Sequence, residues 1–227
     1  AISNGLHLHG GYRPFTGTFL VFMEYARNAV RLAALMELPN IFVYTHDSVA
    51  VGEDGPTHQP VEQLANLRTT PNLATWRPCD TVESAVAWKS AIASRSTPTA
   101  LVFTRQKTTA QVRSEEAFAN IERGGYVLYE PVQSPQVALI ATGSEVGITL
   151  QAAQTLAAQG VPARVVSMPC MERFERQDDD YRDSILPKSC RNRLAVEAGV
   201  SDLWPKYVGL DGVVVGIDRF GISAPGG

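Results

Sequence analysis

Apolar positions along the chain follow two alternating rhythms. Short β-branched and aromatic runs are separated by longer stretches in which apolar residues return every three or four positions. The first rhythm predicts buried strands and the second amphipathic helices. Residues 18–38 read as a helix, with Thr16 or Thr18 as its cap and Pro39 just past its end. The run IFVY at 41–44 reads as a buried parallel strand, and a polar loop, THDSVAVGEDGPTHQPVE, occupies 45–62. A helix starts at 60–67, a strand is expected at 74–77, and 81–94 is amphipathic, with Asp80 or Thr81 as cap and Glu83 near its positive end. TALVFT at 99–104 closes this part as a strand. Strand, helix, strand, helix implies a parallel sheet with right-handed crossovers.

The composition then shifts. Residues 106–125 are polar and charged, end in Gly124-Gly125, and read as a connection with a short helix around 115–123. A second unit follows: strand 137–141, turn Gly143-Ser144, helix 145–159 stopped by Gly160, strand 163–167, and short strands at 194–197 and 213–216. The expected fold is α/β, two units with mostly parallel sheets flanked by helices. The expected division is 1–110, a linker at 111–124, and 125–227. The chain starts inside an apparent helix and ends at SAPGG without a helix to cover its last sheet edge, the pattern expected of a piece of something longer.

Two features of the first unit point to chemistry. In the first helix, Phe19, Phe22 and Tyr25 recur every third residue, opposite Glu24, Arg27, Asn28 and Arg31. The pattern alone favours a core stripe; a platform for a planar heteroaromatic ring is the alternative. The polar loop carries His46, Asp47, Glu53, Asp54 and His58 at the end of a strand, where binding groups are usually placed. His46 and His58 are far apart for a metal pair and have no cysteine near them, so hydroxyl binding or general acid–base work suits them better. Asp54 can accept hydrogen bonds from sugar-like hydroxyls. Arg105, just past a strand, suits a phosphate or carboxylate; a surface role is the alternative. Gly143-Ser144-Glu145 reads as a plain turn capped by Ser144, because Glu145 would oppose an anion there. Trp76, Trp88 and Trp204 are expected in the core or an interface.

Composition narrows the classes. The 227 residues are 44% apolar and 19% charged, with net charge −3 and no basic run. That argues against a nucleic-acid partner and against a polybasic membrane surface. No apolar run approaches the roughly 18–20 residues of a membrane span, and AISNGLHLHGG has no signal-peptide pattern. Cys79, Cys170 and Cys190 form neither a disulfide framework nor a Cys-x-x-Cys site, and a cytoplasmic protein is the default expectation.

The segments GGYRPFTGTFLVFMEYARNAVRLAALM, THDSVAVGEDGPTHQPVEQLANLR, TWRPCDTVESAVAW, TRQ, GGYVL, ATGSEV, VVSMPC, VEAG and the FG-x-SAP ending resemble transketolase, in order and across nearly the whole chain. The resemblance implies part of a pyrimidine-binding domain followed by most of a C-terminal domain. It implies transfer of a two-carbon ketol unit from a ketose phosphate to an aldose phosphate, in the pentose phosphate pathway or Calvin cycle. The implied cofactors are thiamine diphosphate, acting as electron sink, and Mg or Ca. Phe19, Phe22 and Tyr25 would then line the aminopyrimidine pocket, with Phe22 stacked on the ring. His46 and Arg105 would contact the sugar phosphate. Asp54 would bind the C2 hydroxyl and select its configuration, and His58 would contact hydroxyls near the reacting carbon. A homodimer with each site between two subunits is implied, and no metal ligand falls on this chain. The family's glutamate at the pyrimidine N1′ and its diphosphate- and metal-binding domain would precede residue 1. The chain alone is therefore expected not to catalyse transfer. Smaller departures are Ala50, where the family often has glycine, and Lys107-Thr108. Dihydroxyacetone synthase and a non-catalytic domain pair are the competing readings. An oxo-acid dehydrogenase β subunit is disfavoured by the His46, Asp54, His58 and Arg105 set.

Overall fold

The structure, a computed structural model, describes residues 1–224; Pro225, the last position of the FG-x-SAP motif, and the glycines after it lie outside the described residues. The first unit runs α1 (Ile2–His9), β1 (Phe15–Phe19), α2 (Met23–Leu35), β2 (Ile41–Thr45), α3 (Gln63–Arg68), β3 (Ala74–Trp76), α4 (Thr81–Ala93) and β4 (Thr99–Val102). Its described strands form a four-stranded sheet in the order β1-β2-β4-β3, every pair parallel. The second unit follows α5 (Glu115–Asn120) with β5 (Tyr126–Tyr129), β6 (Val137–Ala141), α6 (Glu145–Ala158), β7 (Ala163–Ser167), α7 (Met171–Glu175), α8 (Asp179–Ile185), β8 (Arg193–Val196), α9 (Pro205–Val208) and β9 (Val213–Val215). Its described strands are ordered β5-β7-β6-β8-β9, parallel except for the antiparallel β5–β7 pair. The α/β architecture with mostly parallel sheets is as the alternation predicts.

The expected helix at 18–38 needs correction. Its first residues belong to β1, an edge strand paired in parallel with β2 from Phe15↔Ile41 to Phe19↔Thr45. Leu20–Phe22 then forms a single 3₁₀ turn, and α2 begins only at Met23. Neither Thr16 nor Thr18 caps it; Phe22 stands at the cap position with no side-chain hydrogen bond. Thr and Phe favour strands, and the open edge of β2 offers FTGTF a ladder that a helical turn would forgo.

Capping at α4 is as expected and more elaborate. Asp80 Oδ1 accepts the Glu83 amide at 3.0 Å, and Glu83 Oε2 reaches back to the Cys79 amide at 2.7 Å. One amide left free by the helix start and one just before the cap are thereby satisfied. Ser144, by contrast, does not cap α6: it lies in helical conformation and donates its hydroxyl to Glu145 Oε1.

One apolar cluster spans both units, joining Trp76, Ala87 and Leu101 to Tyr126, Leu139 and Val165. Trp76 and Trp204 are fully buried and Trp88 is half-buried against the cluster. The two sheets also meet through ions. The C-terminal ends of β2, β3, β6 and β8 deliver Asp47, Arg77, Glu145 and Glu197 to one buried cluster. Arg77 Nε donates to Asp47 Oδ2 at 2.9 Å, with Nη2 2.8 Å from the same oxygen, and its Nη1 donates to Glu145 and, at 3.0 Å, to the Thr142 carbonyl. Glu197 lies 3.6 Å from Arg77, accepts a fork from Arg68 at 2.7 and 2.8 Å, and accepts Trp204 Nε1–H at 2.8 Å. Burial of Arg77, Asp47 and Glu197 is essentially complete. Ions so desolvated persist only when paired and hydrogen-bonded.

Candidate active site

The C-terminal edge of the first sheet positions the candidate residues. Phe19 ends β1, His46 follows β2 directly, and Arg105 lies just past β4. A parallel sheet with neighbours in the order β1-β2-β4 brings those three ends side by side.

The aromatic residues are arranged for contact, not for the core. Phe19 and Phe22 rings lie 6.1 Å apart and only 13° from parallel, and Phe22 and Tyr25 are 6.0 Å apart at 32°. Tyr25 is 89% exposed. The core positions of this stretch are instead Leu20, Met23 and Val30. The core-stripe reading is thus overturned. Its helical premise fails too, since Phe19 is on a strand and Phe22 on the 3₁₀ turn, yet the three rings still form one wall.

Both histidines join that wall. The His46 ring stacks on Phe19 with centroids 3.6 Å apart and 18° between planes. His58 meets Phe22 edge-on at 5.2 Å and Phe19 at 6.4 Å. Each histidine has its Nδ1 2.9 Å from the hydroxyl of the preceding threonine, Thr45 and Thr57 respectively, so Nε2 remains available in both. His46 takes φ +60°, the left-handed region, which costs a side-chain-bearing residue about 1–2 kcal/mol. Such a conformation persists only where its surroundings hold it.

Charge around His46 comes from the other candidates. Burial first, and then the positive charge of Arg105, lower its pKa from the ordinary value of 6.5, while Asp54 and Asp47 pull the other way. The ring is therefore neutral at pH 7, able to donate at one nitrogen and accept at the other. Asp54 and Arg105 are both exposed, one on each side of the balance.

The loop that carries Asp54 and His58 is tied down at several points. Gly55 N–H donates to the Gly52 carbonyl, and the His58 and Gln59 amides donate to the Gly55 carbonyl. Gln59 Nε2 donates to the Gly52 carbonyl at 2.7 Å and to the Ile222 carbonyl at 3.1 Å, and Ser223 Oγ donates to the Glu53 carbonyl at 2.5 Å. The FG-x-SAP segment of the second unit thus braces the loop of the first. Between them, Val49, Gly52, Gln59, Gly216 and Gly221 line an open cavity of about 700 Å³. Gln106 Nε2 further donates to the Ala50 carbonyl, linking the β4 end to the same loop.

Sequence reasoning missed Asp47, Arg77, Glu145, Glu197 and Gln59 as supports of this site. A signal was present: each of the first four is a charged residue just beyond the end of a buried strand. What it lacked was the knowledge that two different sheets point those ends at each other. Among the described residues, no group of three or more His, Cys, Asp or Glu could hold a metal ion. No described helix is long and apolar enough to cross a membrane.

Comparison with known proteins accords with this geometry. Residues 1–111 match the profile of the transketolase pyrimidine-binding domain, and residues 124–227 that of the transketolase-like C-terminal domain. Transketolase 1 of Escherichia coli is 59% identical over 225 residues, 99% of this chain and 34% of that protein. Transketolase 1 of Vibrio cholerae is 57% identical over 227 residues, again 34% of its length. Among solved structures, the transketolase of Leishmania mexicana superposes with a TM-score of 0.93 at 46% identity, covering 99% of this chain and 32% of that one. A Pichia stipitis transketolase, crystallised with sedoheptulose-7-phosphate, matches with TM-score 0.92 at 42% identity, covering 99% and 32%. The chain spans about a third of the length of these relatives. With both of its units matched in order by the family's own domains, the chain belongs to the transketolase family.

Proposed function

We propose that this chain supplies the pyrimidine-binding wall and part of the sugar-phosphate channel of a transketolase. The reaction is transfer of a two-carbon ketol unit from a ketose phosphate to an aldose phosphate. The observation that carries the reading is the wall of half-buried Phe19 and Phe22 and exposed Tyr25, continuous with His46 and His58.

Partly exposed rings, with Phe19 and Phe22 nearly parallel, fit an aminopyrimidine, which gains from π-stacking and from burial of apolar area that water otherwise covers. Thiamine diphosphate, when bound, supplies the electron sink for cleaving the ketose carbon–carbon bond. Phe22, flanked by Phe19 and Tyr25, would hold its pyrimidine ring. The remaining work falls to the loop. Neutral His46 offers Nε2 to the sugar phosphate, and the exposed guanidinium of Arg105 offers the phosphate a bidentate fork. Exposed Asp54 would accept from the C2 hydroxyl of the aldose, which is the C4 hydroxyl of the ketose before cleavage, and so favour one configuration. His58, edge-on to Phe22, would exchange hydrogen bonds with hydroxyls near the reacting carbon. Sugar phosphates as ligands gain support from the Pichia stipitis relative's own complex.

The further parts of the reading rest on the family. A divalent cation, Mg or Ca, would be held with the diphosphate by residues outside this chain. The active assembly is a homodimer with the site between subunits, and exposed Tyr25, Leu32 and Leu35 along α2, with Met36 just past its end, suit a partner surface. The working setting is the cytoplasm and the pentose phosphate pathway. The chain alone is proposed to be inactive, and it takes residues 1–110, 111–124 and 125–227 as domain, linker and domain.

The test is a chimera in which residues 1–227 replace the matching third of the Escherichia coli relative. Ketol transfer from xylulose 5-phosphate by the chimera, with none from the isolated chain, is expected. A correctly folded chimera that binds thiamine diphosphate yet transfers nothing would remove the assignment.

A further inference from the structure

The strained residue of the site is His46, and the second unit reaches it. We propose that Arg77 is a positioning residue for His46, and that the second unit exerts this control through Glu145. The importance of His46 rests on the functional reading above; the positioning itself does not.

The chain of contacts is continuous. Glu145, at the start of α6 in the second unit, accepts from Arg77 Nη1 and also accepts the Ala198 amide at 3.1 Å. Arg77, fully buried, donates from Nε to one oxygen of Asp47 and holds its charged Nη2 2.8 Å from that same oxygen. The other Asp47 oxygen, also buried, has no hydrogen-bond partner. Asp47 is 2% exposed, so its carboxylate depends on Arg77 for compensation. Its backbone neighbour His46 holds φ +60° and stacks its ring on Phe19 at 3.6 Å. A residue in the left-handed region is stable only where flanking contacts over-determine it, and the Asp47 anchor is the buried contact next in the chain.

Arg77 in turn cannot move freely. Its amide donates to the Pro169 carbonyl at 2.8 Å, and its carbonyl accepts the Gly143 amide and the Thr142 hydroxyl, both at 3.1 Å. These three partners belong to the second unit. The second sheet therefore fixes both ends of Arg77, and through Asp47 the ring orientation of His46. This gives the C-terminal unit a part in the active site besides packing.

The test reads the His46 ring itself. In the isotope-labelled 227-residue chain, an NOE between the His46 and Phe19 rings reports the stack. Arg77→Lys, which lacks the fork, is expected to abolish that NOE, and Glu145→Gln to weaken it. Tyr126→Phe is the control. It removes a buried hydrogen bond to Glu83 (2.8 Å) from a separate cluster between the same units and leaves Asp47 untouched. It is expected to keep the NOE while lowering stability. An unchanged NOE in folded Glu145→Gln, or equal loss in Tyr126→Phe, would overturn the proposal. Should Arg77→Lys fail to fold, Glu145→Gln decides alone. His46→Ala in the chimera tests the functional reading separately. Unaltered sugar-phosphate KM there would remove the role of His46 and leave the positioning result standing.

Discussion

Gly143 offers the sharpest single-residue test of how the two units are joined. It has φ +58°, and a Cβ added there would lie 2.7–2.9 Å from Nε, Cζ and Cγ of Arg77. A flexible arginine would swing aside, but this one is pinned by Asp47, Glu145 and the Thr142 carbonyl. Gly143→Ala therefore combines two costs. The left-handed backbone costs about 1–2 kcal/mol for a residue with a Cβ, and forcing atoms into a packed, immobile neighbour costs about 1–3 kcal/mol more. The sum, about 2–5 kcal/mol, is a large share of a typical total stability of about 5–15 kcal/mol. Gly160 separates the two terms. It has φ +80° but nothing within 4 Å of an added Cβ, so Gly160→Ala is expected to cost only the backbone part, about 1–2 kcal/mol. Urea unfolding of the chain, followed by fluorescence of its buried tryptophans, reads both. At a slope of about 2–3 kcal/mol per molar, Gly143→Ala shifts the midpoint down by roughly 1–2 M. Equal midpoints for the two variants would show that Arg77 yields, and the account of a rigid buried hub would be refuted.

Two other expectations concern the site. In the chimera, Phe22→Ala is expected to weaken thiamine diphosphate binding by roughly 1–3 kcal/mol, the worth of a lost aromatic contact, measured by calorimetry; unchanged affinity would show that the ring binds elsewhere. Arg105→Gln removes one of the two influences that lower the His46 pKa. Its titration by NMR is therefore expected to move upward toward 6.5, and Asp54→Asn to move it further down; the opposite signs would contradict the geometry around His46.

The linkage to stability has a definite sign. A histidine whose folded pKa lies below its unfolded value binds fewer protons in the fold, so stability rises with pH between the folded pKa of His46 and 6.5. Below that window the destabilisation from His46 is constant.

Much of the fold was legible because parallel strands buried on both faces leave uninterrupted apolar runs, as in VALIA at β6 and IFVY in β2. β1 was not, because FTGTF is an exposed edge strand whose apolar and polar residues mimic the start of the amphipathic α2. Its pairing with β2 is a tertiary fact that local spacing cannot report. The same limit applies to the site. His46, Asp54, His58 and Arg105 are visible as polar residues at or beyond strand ends, but spacing alone favours a core stripe for Phe19, Phe22 and Tyr25, since a period of three fits a buried helix face equally well, and only the family resemblance points them at a cofactor. The Arg77 cluster left only a weak signal, charged residues just past buried strands, for a different reason. Asp47, Arg77, Glu145 and Glu197 come from four separate strand ends, and only the docking of two sheets makes them neighbours.

The central claim is that this loop reads the sugar while the aromatic wall holds the cofactor. Asp54→Ala in the chimera tests it most directly, with kcat/KM for a ketose phosphate donor and thiamine diphosphate affinity measured on the same preparation. Loss of a charged hydrogen-bond acceptor worth about 1.5–3 kcal/mol predicts a roughly 10- to 100-fold fall in donor kcat/KM, with cofactor affinity unchanged. An equal fall in both would contradict the assignment of Asp54 to the substrate.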